Sequence, residues 1–222
     1  MMMNFNELSE DCFADVYYPE CEVIHEENGL EDKFGGNVPF FTNGMTWPLD
    51  KGGVPMIFLY QLRDPCNFKD ITLHQAFISE YGGYMDDFKI SLTKIILNDE
   101  TLDNQVIIEK PSLNRRNTVY KTFEIVKWVR SKELKDIEYI MKKYDISDDE
   151  IELYEDIYQN HENTPSFSVK VGGTPQHCQY HSYSSERDIF LQITGCPFMD
   201  YQWGDAGIAH ISHDCQLYWD CC

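Results

Sequence analysis

Lys33-Phe34-Gly35-Gly36 and Lys170-Val171-Gly172-Gly173 carry the same short phrase in a chain of 222 residues. In each copy a Pro follows within three residues. An apolar run of strand length comes later, Phe58-Leu59-Tyr60-Gln61-Leu62 in the first copy and Ile189-Phe190-Leu191-Gln192-Ile193 in the second. Adjacent glycines permit φ > 0 and a close turn, so each phrase ends one extended segment and starts another. A second shared element comes after it, Ile71-Thr72-Leu73-His74-Gln75-Ala76-Phe77-Ile78 in one case and Gly207-Ile208-Ala209-His210-Ile211-Ser212 in the other. The pattern predicts two similar β-rich halves that bury their sheets against each other and leave a cleft at the join.

Other stretches fit this reading. Val54 to Tyr60 is nearly continuous in apolar residues, and Phe88 to Ile95 alternates, as strands do. Val106-Ile107-Ile108 and Val119 to Val129 are β-prone, while 98–103 and 111–117 read as polar connections. From Ser131 the texture changes. Leu134, Ile137, Met141 and Tyr144 follow a helical period, with Ser131 as N-cap. Ser147-Asp148-Asp149-Glu150 is a capping-box pattern that opens a second helix, with Ile151, Tyr154 and Tyr158 on its apolar face. Strand patterning returns after Pro165. The predicted organisation is an acidic segment 1–32 and one domain 33–222. That domain divides into a β-rich half 33–130, a helical insert 131–160 and a β-rich half 161–222.

Charge narrows the partners. The formal net charge is -20, which opposes binding to nucleic acid or to an anionic membrane, since both need Lys and Arg to meet phosphates. Residues 1–32 hold ten acids and residues 145–163 hold eight, and neither stretch has a Lys or Arg. These are either two solvated stretches or an acidic face that docks a basic protein partner. The N-terminus lacks a basic and then apolar signal pattern, and no stretch approaches the roughly 18 apolar residues of a membrane span. A cytoplasmic location is expected. The eight cysteines include no Cys-x-x-Cys pair and read as core residues or free thiols.

Candidate sites can be named from residue type. Lys33 and Lys170, each beside its Gly-Gly pair (Gly35 and Gly36, Gly172 and Gly173), offer an ammonium and backbone N–H groups to a small anion. Neither phrase has the glycine spacing of a nucleotide-binding loop. Gln61 and Gln192 end apolar strands, and a buried amide needs partners, so they either hydrogen-bond across the halves or line a polar spot in the cleft. Asp205, in the turn after Trp203, either caps that turn or presents a binding carboxylate. His177, Cys178, His181, His210, His213 and Cys215 have the ligand chemistry of a zinc site. Their spacings match no standard zinc module, so satisfied histidines and core cysteines are the expectation, and no cofactor is expected. Cys178 or Cys215 with His210 or His213 is the available nucleophilic pairing, and no spacing singles one out.

The two phrases also resemble a known family. Lys33-Phe34-Gly35-Gly36, Pro39, Trp47-Pro48, Pro55 and Phe58-Leu59-Tyr60-Gln61-Leu62 are similar to the N-terminal signature of the YwqG-like proteins, a domain of unknown function. Val169-Lys170-Val171-Gly172-Gly173, Leu191-Gln192-Ile193 and Trp203-Gly204-Asp205-Ala206-Gly207 match its C-terminal signature in order. The resemblance covers roughly residues 30–222. It implies an α+β fold, mostly antiparallel sheet and internally repeated, and no established activity. Some relatives sit beside toxin systems and look like immunity proteins. The chain departs from the pattern at Gln176 to His181 and at His210 and His213.

Two functions are therefore expected. One is a non-catalytic, immunity-like binding protein that uses an acidic surface against a basic partner. The other is a small-molecule-binding or hydrolytic protein working in the cleft between the halves.

Overall fold

The computed structural model describes residues 9–65, 72–79, 90–111, 121–135, 137–145, 169–177, 189–194, 203 and 207–221. A 3-10 turn at Glu10–Cys12 leads into β1 (Phe13–Ile24). Then come β2 (Lys33–Phe34), β3 (Phe41–Thr42), β4 (Ile57–Arg63), β5 (Thr72–Ile78) and β6 (Ile90–Ile96). Helix α1 (Asp99–Asp103) and β7 (Gln105–Val106) precede the long β8 (Thr122–Leu134). Helix α2 (Ile137–Tyr144) is followed by β9 (Val169–Gly172), β10 (Ile189–Thr194), β11 (Ile208–Ser212) and β12 (Leu217–Asp220).

Ten of these strands form one sheet in the order β12-β11-β10-β9-β1-β8-β2-β4-β5-β6, while β3 and β7 pair separately. Every described pairing is antiparallel. The spine is the β1–β8 ribbon, in register from Phe13↔Leu134 to Ile24↔Thr122. Its register shifts at Glu20/Cys21. The irregularity falls next to Pro19, whose ring leaves no N–H for the ladder. The acidic N-terminal stretch therefore supplies a central strand.

A first arm, β2-β4-β5-β6, extends from β8, and a second, β9-β10-β11-β12, extends from β1. The arms curl over each other, so the sheet is nearly closed and barrel-like. His74 of β5 stacks on Phe190 of β10 with ring centroids 4.2 Å apart. Lys94 of β6 donates to the carbonyl of His213, just beyond β11. One apolar cluster spans both arms, including Phe34, Leu59, Leu62, Val171, Leu191 and Trp203. β4 is buried on both faces from Ile57 to Leu62, which is why its sequence is a continuous apolar run rather than an alternation. A smaller cluster holds Phe41, Trp47, Met56, Phe58 and Phe77, and the Trp47 indole donates to the Met56 carbonyl at 2.8 Å.

Two local expectations are corrected. Residues 98–103 are not a plain connection, because Asn98 and Thr101 cap α1 reciprocally. The Asn98 side chain accepts from Thr101 N at 2.9 Å, and the Thr101 hydroxyl accepts from Asn98 N at 2.8 Å. Ser131 is not a helix N-cap, and the helical insert does not begin there. β8 runs through Leu134 because β1 offers it a full ladder, and Leu134 packs on Cys12 and Ile140. The i, i+3 spacing from Leu134 that suggested one helix joins a strand end to α2 around the same small cluster, which Tyr144 also flanks. The second expected helix, at 147–158, lies outside the described residues.

Candidate functional site

The two Lys-x-Gly-Gly turns have matching interiors. Lys33 is fully buried, and its ammonium meets Glu27 at 2.7 Å, Glu31 at 3.2 Å and the Val38 carbonyl at 2.7 Å. Lys170 is 4% exposed, and its ammonium meets Glu133 at 2.6 Å and the Thr174 carbonyl at 2.7 Å. Gly36 and Gly173 both have positive φ, +92° and +73°. A Cβ at Gly36 would collide with the Glu27 carboxylate, and one at Gly173 with the Glu133 carboxylate. The glycines thus let the backbone pass directly over the buried ion pair. Both ammoniums are neutralised inside the protein, which removes them from the role of an anion site. They also stand apart, since β8 and β1 lie between β2 and β9.

The two glutamines are clamps. Gln61 pairs with Lys33 across β2–β4, and Gln192 pairs with Lys170 across β9–β10. The Gln61 carbonyl accepts from Phe40 N at 2.8 Å, and its amide donates to the Gly29 and Glu31 carbonyls. On the next strand, Gln75 donates to the Phe40 carbonyl at 2.8 Å. The Gln192 carbonyl accepts from Gln176 N at 2.8 Å, and on its next strand His210 Nε2 contacts the Gln176 carbonyl at 2.8 Å. In each arm the residue after a Gly-Gly-and-Pro turn is held by both backbone groups between two strand side chains.

Beyond the clamps the two arms diverge. In the first arm Phe41 enters the apolar cluster with Trp47 and Phe77. In the second arm His177 lies beside His210, with ring centroids 4.6 Å apart. Asp220 of β12 completes the group, its Oδ2 3.6 Å from His177 Nδ1. One candidate ligand atom from each of the three lies within 4.8 Å of the others. A carbonyl only accepts, so His210 Nε2 carries the proton and Nδ1 keeps its lone pair. Burial, with help from the neighbouring His177, pushes the His210 pKa down to about 4, so the ring is neutral at neutral pH. His177 Nε2 is buried and makes no hydrogen bond among the described residues.

Of the residues named from sequence, the structure thus brings together His177 and His210 and adds Asp220, which residue type alone did not single out. The β11–β12 hairpin is the signal that locates it. His210 pairs with Tyr218, so Asp220, two residues on, shares its face. His213 instead packs on Phe190, and Cys215 sits in the hairpin turn at φ +60°. Trp203 is 2% exposed in the main cluster. Asp205, Cys178 and His181 lie outside the described residues. The described part of the join between the arms is the shared apolar cluster, where a cleft was expected.

A family model described as a domain of unknown function, DUF1963, matches residues 32–212. The chain belongs to the DUF1963 family. The DUF1963 match takes in both Lys-x-Gly-Gly turns, both glutamine clamps, His177 and His210, while β1 and Asp220 fall outside it. No curated protein matches the chain. Among the described residues, no helix is long and apolar enough to cross a membrane.

Proposed function

We propose that this DUF1963 protein is a non-catalytic binding protein, acting inside the cell, that docks a basic protein partner on an acidic surface. The observation that carries this reading is the corner formed by α1 and β7. Asp99, Glu100, Asp103 and Glu109 are exposed there, and none of them joins an ion pair among the described residues. Acids on the β1–β8 ribbon, by contrast, meet bases across the strands, Asp15 with Arg130 and Glu20 with Lys127. The acidic corner adjoins a surface pocket of about 540 Å³ lined by Met45, Trp47, Pro48, Leu49, Ile108 and Pro111. The N–H of Asn43, two residues before Met45 of the pocket, bonds the Asn104 carbonyl at the end of α1. Leu49 and Ile107 are 55% and 69% exposed. Lys or Arg residues around an apolar side chain would complement both features, and such charge pairing speeds association in a salt-sensitive way. An immunity-like role, capping a basic enzyme, is the form of this reading that the YwqG-like resemblance suggests.

The test is retention of a basic protein on the immobilised chain at low salt, compared with high salt and with an Asp99→Lys/Glu100→Lys/Asp103→Lys variant. The partner should be lost under both changes. A partner that the variant retains equally, or the lack of any salt-sensitive partner, overturns the reading.

We also infer that the two arms are versions of one motif. The matching Lys–Glu pairs, glycine turns and glutamine clamps support this. An experimental structure in which β2, β4 and β5 fail to superpose on β9, β10 and β11 would rule it out.

A further inference from the structure

We propose that His177, His210 and Asp220 form a binding site for a divalent first-row transition-metal ion, with zinc the ion to test first. The inference does not depend on the acidic corner, which uses other elements.

Donor chemistry, preorganisation and a contrast between the arms meet at this cluster. Two imidazoles and one carboxylate are the set that holds zinc where a position stays open to water, and that holds iron(II) as a facial triad. Zinc–nitrogen and zinc–oxygen bonds of about 2.0–2.2 Å place tetrahedral ligand atoms about 3.4 Å apart. The His177 Nδ1 to Asp220 Oδ2 separation is 3.6 Å, and each of the three residues offers one ligand atom within 4.8 Å of the others. Rotation of the His177 side chain would close the remaining gap. His177 has the freedom for it, with a side chain 23% exposed on the segment after the Gly-Gly turn.

The cluster is also preorganised. A metal-bound imidazole usually donates its other N–H to a fixed acceptor, which sets the ring and the tautomer. His210 has that arrangement. Its Nε2 meets the Gln176 carbonyl at 2.8 Å, and the Gln176 N–H is itself held by Gln192. The ring is therefore fixed with Nδ1 carrying the lone pair. The Lys170 ammonium, whose charge is felt at His210, is tied to Glu133 at 2.6 Å and so opposes an incoming cation less.

The two arms differ at this position. The same backbone clamp in the first arm presents Phe41 to an aromatic cluster, with Gln75 on the strand position that His210 takes in the second. Packing alone is met by Phe and Gln there. The second arm replaces both with imidazoles and sets a carboxylate that is 8% exposed beside them.

The experiment uses the full chain without a His-tag, stripped with a chelator and then freed of it. Zinc is titrated by calorimetry against a competing chelator, and cobalt(II) is titrated in parallel by its visible absorption. One zinc per chain is expected, with a cobalt spectrum lacking thiolate charge-transfer bands. His177→Phe keeps a ring packed on His210 but removes a ligand. It should weaken zinc at least tenfold while leaving the metal-free melting temperature near that of the parent chain. Asp220→Asn should weaken zinc likewise, whereas His213→Ala should not. Absence of a stoichiometric site, a thiolate spectrum, or unchanged affinity in His177→Phe overturns the proposal.

Discussion

The Lys33 ammonium lies 2.7 Å from the Glu27 carboxylate, and that same carboxylate fills the space a side chain at Gly36 would need. Lys170, Glu133 and Gly173 stand in the same relation. The Lys-x-Gly-Gly phrase is thereby an instruction for folding. The lysine goes inward, an acid from the β1–β8 ribbon region meets it, and the glycines let the chain cross above the pair.

Removing either lysine should be costly. Lys33→Met leaves the Glu27 and Glu31 carboxylates, 10% and 8% exposed, without their cation. Loss of about 3–5 kcal/mol of unfolding free energy is expected, as for a broken buried pair. Urea denaturation measures it. A loss of about 1 kcal/mol or less would place the pair with ordinary surface ion pairs.

Gly36→Ala and Gly173→Ala should exceed the cost of Gly44→Ala. All three glycines have positive φ, which costs an alanine about 1–2 kcal/mol. A Cβ at Gly44 meets nothing within 4 Å, whereas at Gly36 and Gly173 it meets the buried carboxylate. Thermal denaturation of the three variants should rank Gly44→Ala as the mildest. Equal melting temperatures would refute the close approach.

Gln61→Leu keeps the volume but leaves Phe40 N–H and the Gly29 and Glu31 carbonyls without their side-chain partner. Each unsatisfied buried group costs about 1–3 kcal/mol, so a loss of roughly 3 kcal/mol or more is expected. Hydrogen exchange should show the Phe40 amide losing protection before the β1–β8 ladder does. Uniform loss across the sheet would argue that Gln61 acts on global stability alone.

Acid should destabilise the first arm through Glu27 and Glu31. Burial opposes ionisation at both. Hydrogen bonds and attraction from Lys33 outweigh it, helped by Asn37 N–H at Glu27 and Asn28 N–H at Glu31, so both pKa values fall below the ordinary 4.5. Folding favours the ionised forms, so their contribution is complete above 4.5 and is lost as pH falls through the lower folded values. Asp32 has the opposite sign. Burial raises its pKa despite Arg63, so its contribution is present below 3.8 and is lost as pH rises through the folded value. The melting temperature should drop between about pH 5 and pH 3, and Glu27→Gln should flatten that drop. A variant curve parallel to the parent's would exclude Glu27 as a source.

Much of the sheet was legible because its strands carry their own signal. β4, β5 and β10 stand where apolar runs and alternation put them, and double glycines mark both turns. β1 was harder to read, since Pro19 and a run of acids disguise a strand whose partner lies roughly a hundred residues away. α1 was hidden in a polar stretch, and its Asn98–Thr101 cap is visible only once the geometry is known. At the candidate metal cluster, His177 and His210 were recognisable by type. Asp220 needed the hairpin register, because an aspartate near a chain end carries no signal of its own.

The sequence by itself determined the local devices. Glycine pairs dictate left-handed turns, apolar runs dictate buried strands, and each glutamine enters with a strand that must bury it, whereas the burial of each lysine against its acid appears only in the folded chain. Only the tertiary structure decided what those devices serve. Long-range pairing of β1 with β8 set the sheet order, kept the two lysines apart, gathered apolar side chains from both arms into one cluster among the described residues, and drew His177 to His210 and Asp220. Backbone conformation depends on residues a few positions apart and can be read from the sequence. Which polar groups share one buried space depends on pairings between distant segments, which local sequence does not encode.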